Sequence, residues 1–422
     1  MEKSDMLFLI IGTNPMPNLI SAIARVKYGA KIICIYTQGT KEIYENFKDK
    51  VKKIYSENQK EEDINFSYDI EVDKSNSKEI NEKLEEKFSA HIGQLLNNVS
   101  ANDALVELNF TGGTKVMSSV AYKVFKNVCK EKNINGILSY IDGEKETIYY
   151  EKVYKEEVKS ENLVDLKDNV RLSGLDIVEL HNENNGQFFQ FQYEKTGPYD
   201  EYLGEKIFSL FKDNDMVMRE KGISLLEEIY NLGRKYVSKM KKGNFQCFAE
   251  KVNKVLSSSE NPFEDIKVLE DFAIKHNKKL ELDLIESLSG FWFEDYVFKL
   301  LLELKEEGVI EYAVNSLSRE YEIDLIAYRR YKMFCISVTS IDTIKEAKSK
   351  LYEIKLRANQ LGGEETGICY INLCKDSKEF ESIYRDIWDN EEPKNTLIIC
   401  QDRFKDMKDR LRAWIKGEKY ND

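Results

Sequence analysis

Apolar residues recur along this 422-residue chain in two alternating rhythms, short unbroken runs and stripes at helical spacing. Leu7–Ile11 reads as a buried strand, Leu19–Tyr28 as a helix on the 3.6-residue period, and Lys31–Tyr36 as a second strand. A charged helix around Lys41–Tyr55, a longer one over Ser77–Asn98, a strand at Ala104–Asn109 and a helix over Lys115–Lys132 continue the alternation. Ile137–Ile141 and Thr147–Tyr150 form a hairpin around Asp142-Gly143. Strands alternating with helices predict a mainly parallel sheet with crossover helices. Residues 151–175 are charged and irregular, as in a connector, and Ser173 to Leu280 is mostly helical, with loops near Asn182–Gly186 and Ser257–Pro262. A winged or an all-helical domain fits that middle equally. A second α/β unit begins at Glu281: a helix carrying Gly290–Tyr296 and running to Lys305, strands at Val309–Asn315, Glu322–Ala327 and Met333–Val338, and a helix over Thr343–Leu361. Strands at Thr366–Asn372 and Thr396–Cys400 and a terminal helix complete it. The expected division is 1–155, 156–280 and 281–422, an α/β fold with a Rossmann-like first domain, a mainly helical linker and a separate α/β last domain.

Composition narrows the class. Hydrophobic residues make up 42% of the chain, enough for two or three cores at this length. No window approaches the roughly eighteen uninterrupted apolar residues of a membrane span. The Leu7–Ile11 run is too short for a leader peptide, so a cytoplasmic protein without a membrane partner is expected. Seven scattered cysteines without a CxxC pair, and three distant histidines, exclude a zinc site and a disulfide framework. A net charge of −12 argues against a broadly basic surface for duplex DNA, while leaving room for a local basic groove.

Two segments carry chemistry in the first domain. Gly12-Thr-Asn-Pro-Met-Pro-Asn18 follows the first strand, and Asn109-Phe-Thr-Gly-Gly-Thr-Lys115 follows a later one; each opens a helix. In open parallel sheets, ligands gather beyond the carboxyl ends of the strands at the topological switch point. Paired glycines let backbone amides approach a phosphate, Thr111 and Thr114 add hydroxyls, and the helix start and Lys115 add positive charge. Tight turns with Thr or Asn caps account for such loops as well. Neither loop is a Walker A or GxGxxG motif, so ATP and NAD are not expected.

Asn109–Ser118, with its Thr-Gly-Gly-Thr core, together with Asn14–Asn18 and the later Leu172–His181, resembles the CARF (CRISPR-associated Rossmann fold) sensor family, in its two-domain CARF–nuclease branch. The resemblance implies a homodimer that holds a cyclic oligoadenylate, most often the four-adenosine ring, across its two-fold axis. It assigns ligand contacts to Asn14, Pro15, Met16, Pro17, Asn18, Thr111, Gly112, Gly113, Thr114 and Lys115. A ring of phosphates is a symmetric polyanion, and two dyad-related amide-lined loops match it without a basic protein.

The last domain resembles the restriction-endonuclease-like (PD-(D/E)xK) fold. Such enzymes use carboxylates to hold Mg²⁺ or Mn²⁺ and a lysine to stabilise developing charge. Glu294 on the helix and Asp324 at a strand start match the first two motif elements, and Ser337-Val338-Thr339 falls where the branch carries (Glu or Ser)-x-Lys. The lysine position is Thr339. Lys345, Lys348 or Lys332 is then a substitute cation, or the site binds without cutting. The roles implied are Asp324 and Glu294 as metal ligands, Ser337 as a substrate or metal-water contact, and Lys345 or Lys348 as the relocated cation. Solvated rim charge is the plain alternative for Glu294 and for the lysines, and a hydrogen-bonded core position for Ser337. No histidine follows an arginine at the spacing used by the HEPN ribonucleases that also accompany CARF domains. The expected function is therefore an oligoadenylate-activated, metal-dependent endonuclease of type III CRISPR antiviral defence, acting on single-stranded RNA or DNA. The alternative is an effector that binds without cleaving.

Overall fold

In a computed structural model of the chain, residues 2–57, 65–66, 69–143, 147–162, 190–192, 292–317, 323–339, 344–363, 365–387 and 395–420 are described, with isolated positions between 172 and 254. The chain divides into two units. The first comprises Met1–Phe189 with Arg330–Met333 and Ala358–Thr366; the second comprises Gln190–Arg329, Phe334–Arg357 and Gly367–Asp422.

The first sheet is built from β1 (Ser4–Ile10), β2 (Val26–Tyr36), β3 (Ile70–Glu71), β4 (Leu105–Asn109), β5 (Asn135–Asp142), β6 (Thr147–Lys152) and β7 (Lys155–Asn162), in the order β3-β2-β1-β4-β5-β6-β7. β1 to β5 run parallel; β6 and β7 are antiparallel additions. Helices α1 (Met16–Arg25), α2 (Lys41–Glu57), α3 (Ser77–Leu96) and α4 (Lys115–Glu131) connect the strands. Every residue of β1 from Met6 to Ile10 is fully buried, as an unbroken apolar run requires in a strand covered on both faces. Its Phe8 packs edge-on against Phe88 of α3 at 4.6 Å and near Phe125 of α4 at 6.0 Å.

Three expectations about this region are corrected. The helix predicted to reach Tyr28 ends at Arg25, and β2 begins at once with Val26. A bulge there, with Gly29 at φ 72°, absorbs a register shift opposite Ser4–Met6, so the apolar spacing of Val26–Ala30 belongs to a bent strand. The expected irregular connector contains β7, which pairs with β6 from Thr147↔Asn162 to Lys152↔Lys155. Its charged sequence suits an outer strand with solvent on one side. In the stretch read as helical, Gln190–Gln192 is β8, an edge strand of the second sheet. Most of the rest of that stretch lies outside the described residues.

The second sheet has the order β13-β12-β11-β10-β9-β8, with β9 (Tyr312–Leu317), β10 (Leu325–Arg329), β11 (Lys332–Val338), β12 (Gly367–Ile371) and β13 (Thr396–Ile399). β11, β12 and β13 are parallel, while β9 is antiparallel to β8 and β10. A tight turn with Arg330 at φ 59° joins β10 to β11. The two strands predicted before it start later than expected, at Tyr312 and Leu325. Helix α5 (Trp292–Glu306) buries Trp292, Phe293, Val297, Leu300 and Leu301 against Leu325, Ala327, Phe334 and Ile336 of this sheet. Helices α6 (Ile344–Gly362, its last turn grouping with the first unit), α7 (Ser377–Ile387) and α8 (Met407–Lys416) follow among the described residues, α7 having escaped the sequence reading. No helix among the described residues is long and apolar enough to cross a membrane.

The six described cysteines are all buried and form no disulfide. Burial pushes the thiols of Cys34, Cys335 and Cys369 up, and those of Cys129 and Cys400 up to about 12. The reactive species is the thiolate. Native protein at pH 8 is therefore expected to react promptly at no more than one of its seven thiols, Cys247 lying outside the described residues, and at all seven once unfolded. Counting labels by intact mass with a thiol reagent checks this; two or more promptly labelled native thiols contradict it.

Candidate functional site

The strand order reverses between β1 and β4, and the two glycine-bearing loops leave the carboxyl ends of those two strands. They meet there. A Cβ on Gly12 would lie 2.7 Å from the Gly113 amide nitrogen, and one on Gly112 would lie 2.0 Å from the Ile10 carbonyl oxygen. Gly113 adopts φ 78°, and its missing side chain leaves room for Ile10, whose Cγ2 a Cβ would meet at 2.4 Å. Gly12 and Gly112 are thus required by backbone contact and Gly113 by its positive φ, and the meeting of the loops places the switch-point amides side by side. Gly113, Thr114 and Lys115 are exposed at the start of α4, where the unpaired amides of a helix's first turn favour an anion.

The side chains that sequence reading assigned to the ligand divide into two groups. Thr111 and Thr114 are engaged in building the loop. Thr111 Oγ1 accepts from the Ile141 amide at 2.8 Å. Thr114 Oγ1 caps α4 by accepting from the Met117 amide at 3.2 Å and donates to the Lys74 carbonyl at 2.8 Å. The Thr114 hydroxyl proton is thus directed at the Lys74 carbonyl. Ser118, which sequence reading did not single out as a contact, donates to the Gly112 carbonyl at 2.8 Å and pins the turn from the far side. In the other loop, Pro15, Met16, Pro17 and Asn18 are buried in the first turn of α1, and Asn18 donates to the Ile10 carbonyl at 3.0 Å. Asn14 is partly exposed, and Thr13, which was not singled out, is exposed.

In the second unit, Asp324 immediately precedes β10 and Ser337 lies on β11. The structure brings them together: Asp324 Oδ2 accepts from Ser337 Oγ at 3.0 Å and from the Val338 amide at 2.7 Å. Ser337 stands in register with Tyr370 of β12, a residue sequence reading missed because its apolar strand reads as plain core. Tyr370 is fully buried, and burial, then the neighbouring thiols and the Asp324 carboxylate, push its phenol up. Thr339 continues the sheet by donating its amide to the Ile371 carbonyl at 2.9 Å. Glu294 is partly buried in the first turn of α5, and Lys348 is partly buried on α6. Lys345 also lies on α6, with its side chain outside the described residues. On the neighbouring turns of α6, Arg357 and Lys350 pair with Glu353.

Among the described residues, no three His, Cys, Asp or Glu side chains converge into a metal-binding group. The expected pairing of Asp324 with Glu294 as joint ligands is therefore not assembled into an all-protein cage. The hard oxygens of Asp324 and Ser337 fit the lesser demand of Mg²⁺ or Mn²⁺, which sites of this kind hold through one or two carboxylates plus water and substrate phosphate.

With this geometry in place, comparison with known proteins adds three findings. Residues 6–168 match the family model of the Card1 CARF domain. The fold of the whole chain is similar to that of Can2 from Sulfobacillus thermosulfidooxidans, a structure in complex with cyclic tetra-adenylate (TM-score 0.60, 16% identity, 97% of each chain covered). It is also similar to protein VC1899 from Vibrio cholerae (TM-score 0.64, 15% identity, 98% of each chain covered). No curated protein matches the sequence.

Proposed function

We propose, taking the Card1-type CARF domain over residues 6–168 as premise, that this chain senses a cyclic oligoadenylate with its first unit and answers by cutting nucleic acid with its second. The reading places it in type III CRISPR antiviral defence, as a homodimer whose paired sensor domains share one ring. The observation that carries it is the close contact of the Gly12 and Gly112-Gly113 loops at the switch point, where exposed amides and Lys115 suit a phosphate. That Can2 was solved with cyclic tetra-adenylate makes this ring the first activator to test.

In the second unit the same reading assigns Asp324 and Ser337 to the reaction centre, with Glu294 as a second carboxylate and Lys345 or Lys348 as the cation that replaces the missing motif lysine. A divalent cation there supplies charge neutralisation at the scissile phosphate. The chain's own part is positional: the Val338 amide and the Ser337 hydroxyl hold the Asp324 carboxylate in one orientation. Activator binding acts by shifting the population of sensor conformations toward one in which the second unit is competent.

Thr339 at the lysine position favours a second reading, an activated protein that binds RNA or DNA without cutting it. One experiment separates the two. The protein is incubated with cyclic tetra-adenylate, Mn²⁺ and labelled single-stranded RNA, single-stranded DNA and plasmid. Activator-dependent cleavage supports the first reading; an intact but shifted polymer supports the second. Calorimetry with rings of different size tests the sensor by itself, and no heat with any ring refutes both. Gly112→Ala puts a methyl group where the Ile10 carbonyl stands, and should weaken ring binding by about tenfold or more, roughly 1.4 kcal/mol, by prising the two loops apart. Unchanged affinity in that variant removes the loops from the site.

A further inference from the structure

We infer that Glu365 is a built-in competitor for the oligoadenylate site, its carboxylate holding a donor that a ring phosphate must take over. The inference rests on the sensor reading above and adds a residue to it. Asn14 is the partly exposed side chain of the Gly12–Asn18 loop. Its Oδ1 accepts from the Met16 amide at 3.1 Å, which fixes the orientation of the side-chain amide and turns Nδ2 away from the helix. Nδ2 donates to Glu365 Oε2 at 2.5 Å.

Glu365 is placed there by backbone geometry. It belongs to the Ala358–Thr366 segment that groups with the first unit. Gly363, at φ 77°, closes α6 with its amide on the Asn359 carbonyl at 3.0 Å, and the Thr366 amide then returns to the Gly363 carbonyl at 3.3 Å. The side chain presented by this turn lies against Gly143 in the β5–β6 hairpin. A Cβ on Gly143 would lie 2.5 Å from Glu365 Cγ and 3.1 Å from Oε1. A side chain at position 143 therefore forces Glu365 to shift from its seat.

An aspartate or glutamate carboxylate and a phosphodiester carry the same sign and seek the same N–H donors. A phosphate must either take the Nδ2 hydrogen that Glu365 holds or bind the second one beside the carboxylate, and crowding the two anions together in a partly buried site is repulsive. Ring binding thus has to release Glu365 from Asn14, and with it the turn that ends α6. The strength of the Glu365 contact sets the activator concentration at which the site fills.

The test is calorimetric titration of the full-length protein with cyclic tetra-adenylate, comparing wild type with Glu365→Ala, Glu365→Gln and Gly143→Ala. Removing or displacing the carboxylate should tighten binding by about tenfold or more for Glu365→Ala, with Gly143→Ala in the same direction and Glu365→Gln between. Binding seen only in the variants is the strongest form of support. Wild-type and variant proteins that bind alike, or variants that bind more weakly, overturn the inference and leave the sensor reading standing. No heat from any of the four proteins overturns the sensor reading, and the competitor falls with it. Gly143→Ala keeps a glutamate at 365 and disturbs only its seat, so the set decides the matter even if one substitution at 365 fails to fold.

Discussion

Asp324→Asn is expected to lower activator-dependent cleavage by about two orders of magnitude or more while leaving oligoadenylate affinity and thermal stability near wild type, since a neutral amide would hold far less well the divalent cation that neutralises the phosphate. The isosteric amide is the informative change. Its oxygen keeps an acceptor for the Val338 amide and Ser337 Oγ, the two contacts that Asp324 Oδ2 makes. The fold around the β10–β11 hairpin then survives and only the charge is lost. Asp324→Ala removes both, so its loss of cleavage should come with a lower melting temperature. Ser337→Ala leaves the Val338 amide in place to orient the carboxylate, and a smaller loss of about tenfold is expected. The measurement is a cleavage time course in Mn²⁺ with cyclic tetra-adenylate, beside a calorimetric titration of the ring. Full cleavage by Asp324→Asn would remove this residue from the reaction and leave the strand start with a structural role alone.

What could be read from the sequence follows from the range over which each feature acts. The Thr-Gly-Gly-Thr turn was legible because its chemistry is local: Gly112 faces the Ile10 carbonyl at a distance no side chain tolerates, and Gly113 holds a positive φ. Mostly apolar runs located β1, β4, β11 and β12 to within a few residues, since strands covered on both faces leave few polar positions. Boundaries failed where periodicity is ambiguous, as at Val26–Ala30, where a bulged strand carries apolar residues at near-helical spacing. β7 was missed because its alternation is of charged residues, with Val158 its one large apolar side chain. The two threonines could not be resolved from sequence for a different reason: a hydroxyl beside a glycine serves a cap or a ligand equally, and the bonds from the Met117 and Ile141 amides appear only in the fold. Contacts between distant positions had no signature at all. Asn14 meets Glu365 across 351 residues, and Asp324 meets Ser337 only because a hairpin folds between them.

The least legible feature is also the one with the largest expected effect on stability. Glu107 lies in the middle of β4, between two apolar neighbours, and is fully buried with Arg25 from the end of α1. Arg25 Nε donates to Oε1 at 3.0 Å and Nη2 to Oε2 at 2.7 Å, a two-pronged match of guanidinium to carboxylate. Ser139 of β5 donates to Oε1 at 2.7 Å and Ser4 of β1 to Oε2 at 2.6 Å, so both oxygens carry two donors. The remaining Arg25 nitrogen Nη1 reaches the Glu2 carbonyl at 3.1 Å. Removing one charge strands the other in a fully buried site. Glu107→Ala is therefore expected to cost roughly 3–5 kcal/mol. For a unit of this size that is a fall in melting temperature of roughly 6–20 °C. Arg25→Ala should cost a similar amount, because the stranded carboxylate is as unfavourable as the stranded guanidinium. The double replacement Arg25→Met with Glu107→Leu should be much milder than either alanine change, since two apolar side chains of similar volume carry no desolvation penalty. Calorimetric melting of the four proteins gives the comparison. If Glu107→Ala melts within a degree or two of wild type, the pair is not a structural keystone. If the double replacement is as damaging as the singles, the loss lies in shape rather than charge.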